Sequence, residues 1–324
     1  FWAASGWKRS QRGIPVLRDL SYASLKLYDE LDALQDIDFQ LERRGLINLC
    51  KTESGLAHCV AHGEHLASYG IKARALNRDE IAELEPNVET LAVGGVYYEE
   101  DRHLSPVRFV REMARHVSEN GVDIQTDMEV LGFERSGSRI VRLRTTRGEL
   151  EPAEVVLAAG SWSPGLVSEL GLDVPIQPAK GYSATFVRPD RSPAMPLVCE
   201  EARFGVTPIG DTLRFAGTLE LAGLDLSINE RRVRAILSSV PKFLPELRPH
   251  EMELIEIWRG LRPCSPDGLP YIGRAPGIEN LTVAAGHAMI GVSLGPVTGK
   301  LVAQIIAGQA PDIDMGPLRP DRYS

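Results

Sequence analysis

The sequence predicts a mixed α/β fold in which a domain with buried parallel strands is interrupted by an antiparallel-sheet domain. Two short apolar runs, Val155–Ala159 and Leu281–Ala285, each stop at a glycine, as fully buried strands of a parallel sheet do. Between them, Arg203–Thr207 and Thr212–Gly217 flank a turn centred on Gly210, which is typical of an antiparallel hairpin. Because the two apolar runs lie on either side of this hairpin, the first domain is expected to be discontinuous.

Composition and charge limit the classes of protein to consider. The 324 residues are enough for about two domains, and 43% hydrophobic with 25% charged residues is typical of a globular chain. The net charge of -8, without any Lys/Arg-rich run, argues against a nucleic-acid partner. The four cysteines form no C-x-x-C pair, which favours a reducing compartment, and a cytoplasmic location is expected.

The N-terminal part of the chain is expected to be mainly helical. Apolar spacing predicts a helix over Tyr22–Leu34 and another over Ser54–Tyr69, with a strand at Leu46–Cys50 between them. A short helix that begins at Asn77 or Asp79 is expected to end at Pro86.

The middle of the chain combines one helix with several strands. Ser105 as cap and Pro106 in the first turn predict a helix that Gly121 ends. Its buried face is expected to comprise four residues at helical spacing: Val107, Val110, Ala114 and Val117. Three strands are expected to follow: Val122–Ile124, Val130–Glu134 and Ile140–Thr145.

The C-terminal part contains the strongest motifs. Asn229 is expected to cap an amphipathic helix with Val233 and Ile236 inward, and a strand is expected near residues 252–257. A glycine-rich loop over residues 286–296 then joins the second buried strand to a helix at Pro296–Ile306. Such a loop offers backbone N–H groups to an anionic or electron-accepting ring edge, although a tight connection without a ligand has the same pattern.

A second motif, residues 258–273, carries three prolines and three glycines and is expected to be an ordered loop. Arg262 lies there among apolar residues. A half-buried guanidinium needs an anion, which is either the carboxylate of a substrate or the partner in a structural salt bridge.

Together with Val155–Trp162, these two motifs resemble the D-amino-acid oxidase/dehydrogenase (DAO) superfamily of FAD enzymes, above all the bacterial D-amino-acid dehydrogenases and glycine oxidases. The shared pattern is G-L-R-P-x-[ST]-x-D-G-x-P-x-I-G at Gly260–Gly273, then Gly286-His287, then G-x-x-x-x-P-x-[ST]-G at Gly291–Gly299. Three motifs in the right order are more specific than one glycine loop. The stretch Lys180-Gly181-Tyr182 is also similar to the family.

The resemblance implies an FAD-binding Rossmann-like domain interrupted by an antiparallel-sheet substrate domain. Residues 1–100 would be mainly substrate domain, 101–172 FAD-binding domain, 173–258 substrate domain and 259–324 the C-terminal part of the FAD-binding domain. The family opens with a βαβ unit carrying G-x-G-x-x-G, and this chain has no such motif. We therefore expect the N-terminal βαβ unit to be absent and this chain to be a truncated member.

Site residues follow from the resemblance, position by position. Arg262 would bind the substrate carboxylate, and Tyr182 would face the pocket. The resemblance also implies that Phe204 and Met289 line the substrate site. Phe204 lies where many relatives carry a phenol that assists this arginine, and Met289 where glycine oxidases carry a second arginine, so the glycine oxidase substrate is not expected. The resemblance implies contacts to FAD from thirteen residues: Val130, Ala158, Ala159, Gly160, Trp162, Gly286, His287, Ala288, Met289, Ile290, Gly291, Val292 and Ser293. FAD is expected to be non-covalent, because Gly260 replaces the cysteine of the covalent branch and Cys264 comes four residues too late.

The activity implied by the resemblance is the FAD-dependent oxidative deamination of D-amino acids. A hydride would leave Cα for flavin N5, and water would hydrolyse the imine to a 2-oxo acid, with no obligatory acid or base assigned. The acceptor would be oxygen or a quinone, and a quinone would imply peripheral contact with the inner face of the membrane. Two alternatives stay open: oxidation of sarcosine-like or hydroxyproline secondary amines, and a non-catalytic subunit that needs a partner to bind FAD.

No metal site is expected. His58, His62 and His65 have metal-like spacing on one predicted helix, but the opposite side of that helix is the apolar one. The histidines would therefore point to solvent, without the surrounding groups that hold metal ligands in place.

Overall fold

The computed structural model describes residues 6–323, so the outer domain limits expected at residues 1 and 324 lie outside it. The described residues form one eight-stranded sheet, two three-stranded sheets and seven α-helices. The helices are α1 (Trp7–Asp32), α2 (Glu53–Ala67), α3 (Arg78–Leu84), α4 (Pro106–Glu119), α5 (Ser163–Ser168), α6 (Glu230–Leu237) and α7 (Gly291–Ile306). The strands are β1 (Leu46–Cys50), β2 (Arg74–Asn77), β3 (Gly94–Tyr98), β4 (Val130–Ser136), β5 (Arg139–Thr145), β6 (Gly148–Leu150), β7 (Val155–Leu157), β8 (Gln177–Val187), β9 (Leu197–Cys199), β10 (Phe204–Ile209), β11 (Thr212–Glu220), β12 (Leu254–Cys264), β13 (Tyr271–Arg274) and β14 (Leu281–Ala285).

The eight-stranded sheet has the order β12-β8-β11-β10-β9-β1-β3-β2, and β10 and β11 form the predicted hairpin. One face is apolar and builds the largest core cluster with side chains such as Phe204, Phe215 and Leu197. Ile81 of α3 and Val233 of α6 close this cluster. The opposite face of β8 and its neighbours carries small and polar residues instead. The sheet therefore buries a hydrophobic core on one side and leaves the other side for a site.

The two apolar runs that predicted a parallel pair do pair in parallel, with Leu281 opposite Val155. All five residues of β14 are buried, as predicted. The expectation of full burial is wrong for the first run. β7 ends at Leu157 and lies at the edge of the sheet β13-β14-β7, so the side chain of Val156 is exposed.

The first helix is longer than the sequence predicted, because α1 begins at Trp7 rather than at Tyr22. It packs along α7, where Leu20 joins the core cluster of that helix. The sequence resemblance assigned residues 1–100 mainly to the substrate domain and residues 259–324 to the FAD-binding domain, yet α1 packs on α7 from the second of these segments. The sequence predicted the start of α7 at Pro296, yet it begins at Gly291. Proline has no N–H to donate to the carbonyl of Val292, and the hydroxyl of Tyr28 donates to that carbonyl instead, at 2.6 Å.

The capping signal at Ser105 and Pro106 correctly predicted α4, and the Ser105 hydroxyl accepts from the backbone of Arg108. The predicted buried face is wrong. Val110 is 62% exposed and Val107 48% exposed, since no described element packs on that side of α4. The helix is held instead through Phe109, in the small cluster around Phe39. The strand expected at residues 122–124 does not form.

The segment expected to be an ordered loop is largely a strand. β12 continues through Arg262 to Cys264 and pairs with β8 along its length, so Arg262 stands on a regular sheet edge. Asn229 lies at the N-terminus of α6 as predicted, although its side chain makes no capping bond. Within residues 6–323, no helix is both long enough and apolar enough to span a bilayer.

Candidate active site

Arg262 lies on the small-residue face of the large sheet. It stands opposite Ala179 on β8, and the next two pairs on the same face are Gly260–Gly181 and Trp258–Ser183. The guanidinium leans over Gly181, where a Cβ atom would overlap it. The absence of a side chain at Gly181 therefore creates the space that the guanidinium occupies.

The guanidinium of Arg262 is half-buried and has one hydrogen-bond acceptor among the described residues, the carbonyl of Thr218 at 3.0 Å from Nη1. Within residues 6–323, no carboxylate lies at ion-pair distance from it. Burial lowers the pKa of Arg262, yet an arginine stays protonated in proteins. A cation taken out of water without a counter-ion is costly. Of the two partners that the sequence allowed for Arg262, a bound anion is therefore favoured over a structural salt bridge.

The wall beside Arg262 is partly apolar and partly polar. The indole of Trp258 packs over Gly260, where a Cβ would overlap the ring, and more than half of this side chain is exposed. Across from it, the hydroxyl of Ser183 is buried without a hydrogen-bond partner in the described part of the chain. Arg214 on β11 is already paired with Glu256 on β12, at 3.3 Å across the intervening strand β8. Of these two arginines, Arg262 is thus the one whose charge has no carboxylate partner in the described part of the chain.

The loop after β14 docks directly beside Arg262. The backbone N–H of Ala288 donates to the carbonyl of Pro263 at 2.9 Å, and His287 forms an isolated antiparallel bridge with Cys264. The turn requires a left-handed backbone at Gly286, with φ +80°, and a Cβ there would lie 2.7 Å from the ring of Tyr271. The close approach of β12 and this loop therefore depends on a glycine.

The end of the loop is the N-terminus of α7. Ile290 occupies the cap position and makes no side-chain capping bond, so the first backbone N–H groups of the helix have no side-chain acceptor. These groups and the positive end of the helix dipole suit an electron-rich ring edge. Residues 286–293, called the flavin cradle below, fit the flavin that the sequence resemblance implies here. They would hold it, and the N–H groups in the first turn of α7 would stabilise negative charge on the reduced ring, whereas those of Ala288 and Ile290 already donate to backbone carbonyls.

His287 lies under this loop rather than in an open cleft. Its Nε2 is 2.9 Å from the hydroxyl of Thr298 on α7. Burial lowers the pKa of His287 to about 4, so the ring is neutral at neutral pH. The neighbouring Met289 points outward and is 70% exposed. His287 therefore holds the loop on α7, and the geometry gives it no acid–base partner.

The segment Val155–Trp162, the third stretch of the family resemblance, also reaches β12. β7 ends at Leu157, and the turn Gly160–Trp162 that follows it contacts β12. Gly160 has φ +53° and open space where a side chain would stand, which leaves its backbone accessible. Three separated motifs thus meet along β12, the strand that carries Arg262. Val130 lies in a different sheet, β4-β5-β6, and Ala158 and Ala159 lie between β7 and the turn.

Two predicted substrate contacts lie on the wrong face of the sheet for a pocket shared with Arg262. Tyr182 alternates with Gly181 along β8, and Phe204 faces the same side through its register with Gly217. Both side chains are buried in the large core cluster. The thickness of the sheet therefore separates them from Arg262. The sequence resemblance identified the strands correctly but could not show which way each side chain points.

Sequence reasoning missed several residues that the structure brings to this site, among them Thr218, Trp258 and Ser183. Gly181 lies in the stretch Lys180-Gly181-Tyr182, which resembles the family, but the resemblance implied no role for this residue. The hydrogen-bond acceptor for Arg262 had no signal in the sequence, since it is a main-chain carbonyl.

A metal centre has no support in the described part of the chain. No three His, Cys, Asp or Glu residues of that part group closely enough to hold an ion. His58 and His62 on α2 are exposed as predicted, but the expectation is wrong for His65, whose ring is half-buried and packs edge-on against Tyr69.

Comparisons with known proteins identify the family and the fold of the chain. The family model described as "FAD dependent oxidoreductase" (DAO) matches residues 2–305. The chain is 32% identical to a D-amino acid dehydrogenase of Granulibacter bethesdensis, over 91% of this chain and 72% of that protein. It is 30% identical to a D-amino-acid oxidase of Bradyrhizobium diazoefficiens, over 98% and 76%. The crystal structure of glycine oxidase from Geobacillus kaustophilus superposes with a TM-score of 0.85 at 26% identity, covering 94% of this chain and 83% of that one.

Proposed function

The chain belongs to the DAO family of FAD-dependent oxidoreductases, and we propose on this premise that it catalyses the oxidative deamination of D-amino acids. Its relatives named D-amino acid dehydrogenase and D-amino-acid oxidase support amino-acid oxidation as the reaction class. The observation that carries the proposal is the half-buried Arg262 guanidinium. It has no carboxylate partner within residues 6–323, and it lies one residue away from the bond that joins β12 to the flavin cradle.

In this proposal the chain binds and orients its substrate. Arg262 grips the α-carboxylate, using the edge of the guanidinium that Thr218 leaves available. Fixing the carboxylate beside the loop at residues 286–291 would orient the rest of the substrate towards the cofactor that this loop would hold. Bound FAD would supply the two-electron acceptor for the Cα–H bond. No side chain near Arg262 is placed to act as an obligatory base, so positioning is the main contribution of the protein.

The substrate side chain is proposed to be larger than that of glycine. Trp258 offers an exposed apolar ring on the same face as Arg262, which suits a substrate with an apolar body. Met289 stands where glycine oxidases carry an arginine, so the polar contact of that arginine would be missing here. The cofactor is proposed to be non-covalent, since Gly260 offers no thiol.

The experiment that tests the proposal is an absorption spectrum of the purified chain with added FAD, before and after mixed D-amino acids under argon. We expect bound flavin that bleaches with D-amino acids and not with their L-enantiomers. Arg262→Leu should retain the flavin but bleach only at much higher substrate concentration. Arg259→Leu is the matched control, because Arg259 stands on the same strand and faces the other way.

Two results would count against the proposal. Equal bleaching rates in the wild type and Arg262→Leu would remove Arg262 from the carboxylate site. Bleaching by sarcosine or hydroxyproline in preference to D-amino acids would favour the secondary-amine alternative within the same family.

One observation favours the second candidate, a subunit that needs a partner to bind FAD. Val107 and Val110 on α4 and Val156 on β7 are exposed, so these apolar side chains are available for another segment to cover. A chain that folds but retains no flavin after gel filtration would support this candidate. Retained flavin that D-amino acids reduce would exclude it.

A further inference from the structure

The strand beside Arg262 contains a β-bulge. β8 and β11 pair regularly up to Tyr182 and Gly217, but the next pair is Lys180 with Glu220, so β11 carries one extra residue there. Within the bulge, Thr218 has φ +69°. A left-handed backbone is rare for a β-branched residue and costs about 1–3 kcal/mol. A strained residue of this kind persists only where its surroundings hold it.

The strain at Thr218 coincides with the contact to Arg262. The carbonyl that accepts from Arg262 Nη1 belongs to Thr218 itself. Bulges re-aim groups next to active sites, and this one turns a main-chain carbonyl towards the small-residue face of the sheet. The orientation of the guanidinium therefore depends on the geometry of the bulge.

A polar cluster on the opposite face of the sheet holds the other end of the bulge. The hydroxyl of Tyr182 donates to Glu220 Oε2 at 2.6 Å and accepts from the backbone of Asn229 at 3.3 Å. Glu220 also pairs with Arg232 at 3.3 Å. Tyr182 is buried in the core cluster, so its hydroxyl has a fixed position. Glu220 is thus tied to β8 two residues after the strained Thr218.

We propose that Tyr182 and Glu220 are positioning residues for the substrate carboxylate. They act through the bulge, because their hydrogen bond holds Thr218 in the conformation that points its carbonyl at Arg262. This inference rests on the proposed function, in which Arg262 binds a carboxylate. It gives Tyr182 a role on the core side of the sheet instead of a contact with the substrate.

The test is calorimetric titration of the FAD-treated chain with anthranilate, a planar carboxylate with an adjacent amine. Tyr182→Phe removes the hydroxyl and keeps the ring, and we expect it to weaken binding about tenfold. Glu220→Ala should have a similar effect. Glu220→Gln keeps an oxygen that accepts from Tyr182, and its affinity should stay within about threefold of the wild type.

A second variant separates positioning from loss of fold. Glycine adopts a left-handed backbone without strain, so a bulge with glycine at position 218 does not need the hydrogen bond between Tyr182 and Glu220 to hold its conformation. Adding Thr218→Gly to Tyr182→Phe should therefore restore most of the lost affinity. Phe215→Leu is the control, since it loosens the core under the same strand without contacting the bulge. It should lower the melting temperature and leave anthranilate binding unchanged.

The outcomes distinguish this inference from the function on which it rests. If Arg262→Leu binds anthranilate as tightly as the wild type, the proposed carboxylate site itself fails. If Arg262→Leu loses binding while Tyr182→Phe retains it, only the positioning role is overturned. Failure of Thr218→Gly to restore affinity would overturn the route through the bulge. In turnover assays with a D-amino acid, Tyr182→Phe should raise KM with kcat within about twofold, as expected for lost ground-state binding.

Discussion

The guanidinium of Arg262 lies against the backbone of Gly181 on the neighbouring strand, in space that a single methyl group would fill. The two residues share one face of the large sheet, and the guanidinium donates a hydrogen bond to the Thr218 carbonyl. The position of the positive charge thus depends both on this hydrogen bond and on the absence of a side chain at Gly181.

Replacing Gly181 with alanine should therefore act on substrate binding. The added Cβ would displace the guanidinium from its position, and we expect KM for carboxylate substrates to rise at least tenfold, as for a lost charge-assisted hydrogen bond of about 1.5–3 kcal/mol. Gly181 is not in a left-handed conformation, so backbone strain is not the cause. Steady-state kinetics and a thermal melt of the same samples would separate binding from stability.

Gly205→Ala is the matched control for this variant. Gly205 lies on the same face in a nearby strand, and a Cβ there would come no closer than 3.8 Å to another atom. It should leave KM unchanged. An unchanged KM in Gly181→Ala would mean that Arg262 does not need this space to bind the substrate.

The neutral His287 predicts a pH dependence of stability. Burial lowers its pKa in the folded chain to about 4, below the ordinary value near 6.5 in the unfolded chain. Between these two values the unfolded state binds a proton that the folded state does not. The free energy of unfolding should therefore fall as pH decreases from about 6.5 towards 4, by up to about 3 kcal/mol.

Urea unfolding at pH 7.5 and at pH 5 would measure this dependence in the wild type and in His287→Gln. The glutamine variant has no group at position 287 that titrates in this interval, so its stability should change less between the two pH values. Equal changes in both proteins would show that His287 is not the group responsible.

The parts of the site that the sequence predicted are local. Arg262 and residues 286–291 were found because glycine and proline positions specify backbone conformation within one short segment. The segments after β7 and β14 lie close together because these strands pair in parallel and their carboxyl ends lie at one edge of a sheet. Their contact with β12 could not be predicted in this way, because β12 belongs to the other, antiparallel sheet. The same local reasoning also predicted the hairpin of β10 and β11 and the start of α4.

The parts that the sequence did not predict depend on tertiary structure. Tyr182 and Phe204 were assigned to the pocket, but the strand register places them in the core. One residue of shift inverts the face of every side chain. The bulge after Gly217 was not predicted, because its left-handed position is occupied by Thr218, a residue type that rarely adopts that backbone. The apolar stripe of α4 is present in the sequence, yet the described part of the chain offers nothing to bury Val110.

The loop after β14 should tolerate no side chain at Gly286. Alanine there would combine a left-handed backbone with a Cβ 2.7 Å from the ring of Tyr271, and we expect a loss of about 2–4 kcal/mol in unfolding free energy together with weaker FAD retention. Gly277→Ala is the comparison, because Gly277 is also left-handed with φ +70° but has open space around it. Only the backbone cost of about 1–2 kcal/mol should appear there. Equal losses in urea unfolding would exclude the contact with Tyr271 as a cause.

The C-terminal segment is fixed to the β12–β13 connection by a buried ion pair. Arg322 bonds both carboxylate oxygens of Asp267, at 3.0 and 3.1 Å, and stacks on the ring of Tyr271 with 3.8 Å from Cζ to the ring centroid. The side chains of the pair are only 10% and 7% exposed. Burial alone would raise the pKa of Asp267, but the bonds from Arg322 outweigh it and keep the pKa low.

Removing Arg322 should therefore be costly, because it leaves the buried charge of Asp267 without its cation, although the backbone N–H of Leu269 still donates to this carboxylate. We expect Arg322→Leu to lower the free energy of unfolding by about 3 kcal/mol. The neighbouring pair of Arg319 with Asp321 is the control, since the Arg319 side chain is 64% exposed and such pairs contribute about 0–1 kcal/mol. Urea unfolding of Arg322→Leu and Arg319→Leu would compare them directly. A loss no larger in Arg322→Leu than in Arg319→Leu would mean that Asp267 finds water or another partner when Arg322 is gone. In that case the ion pair would not be what holds the C-terminal segment against β13.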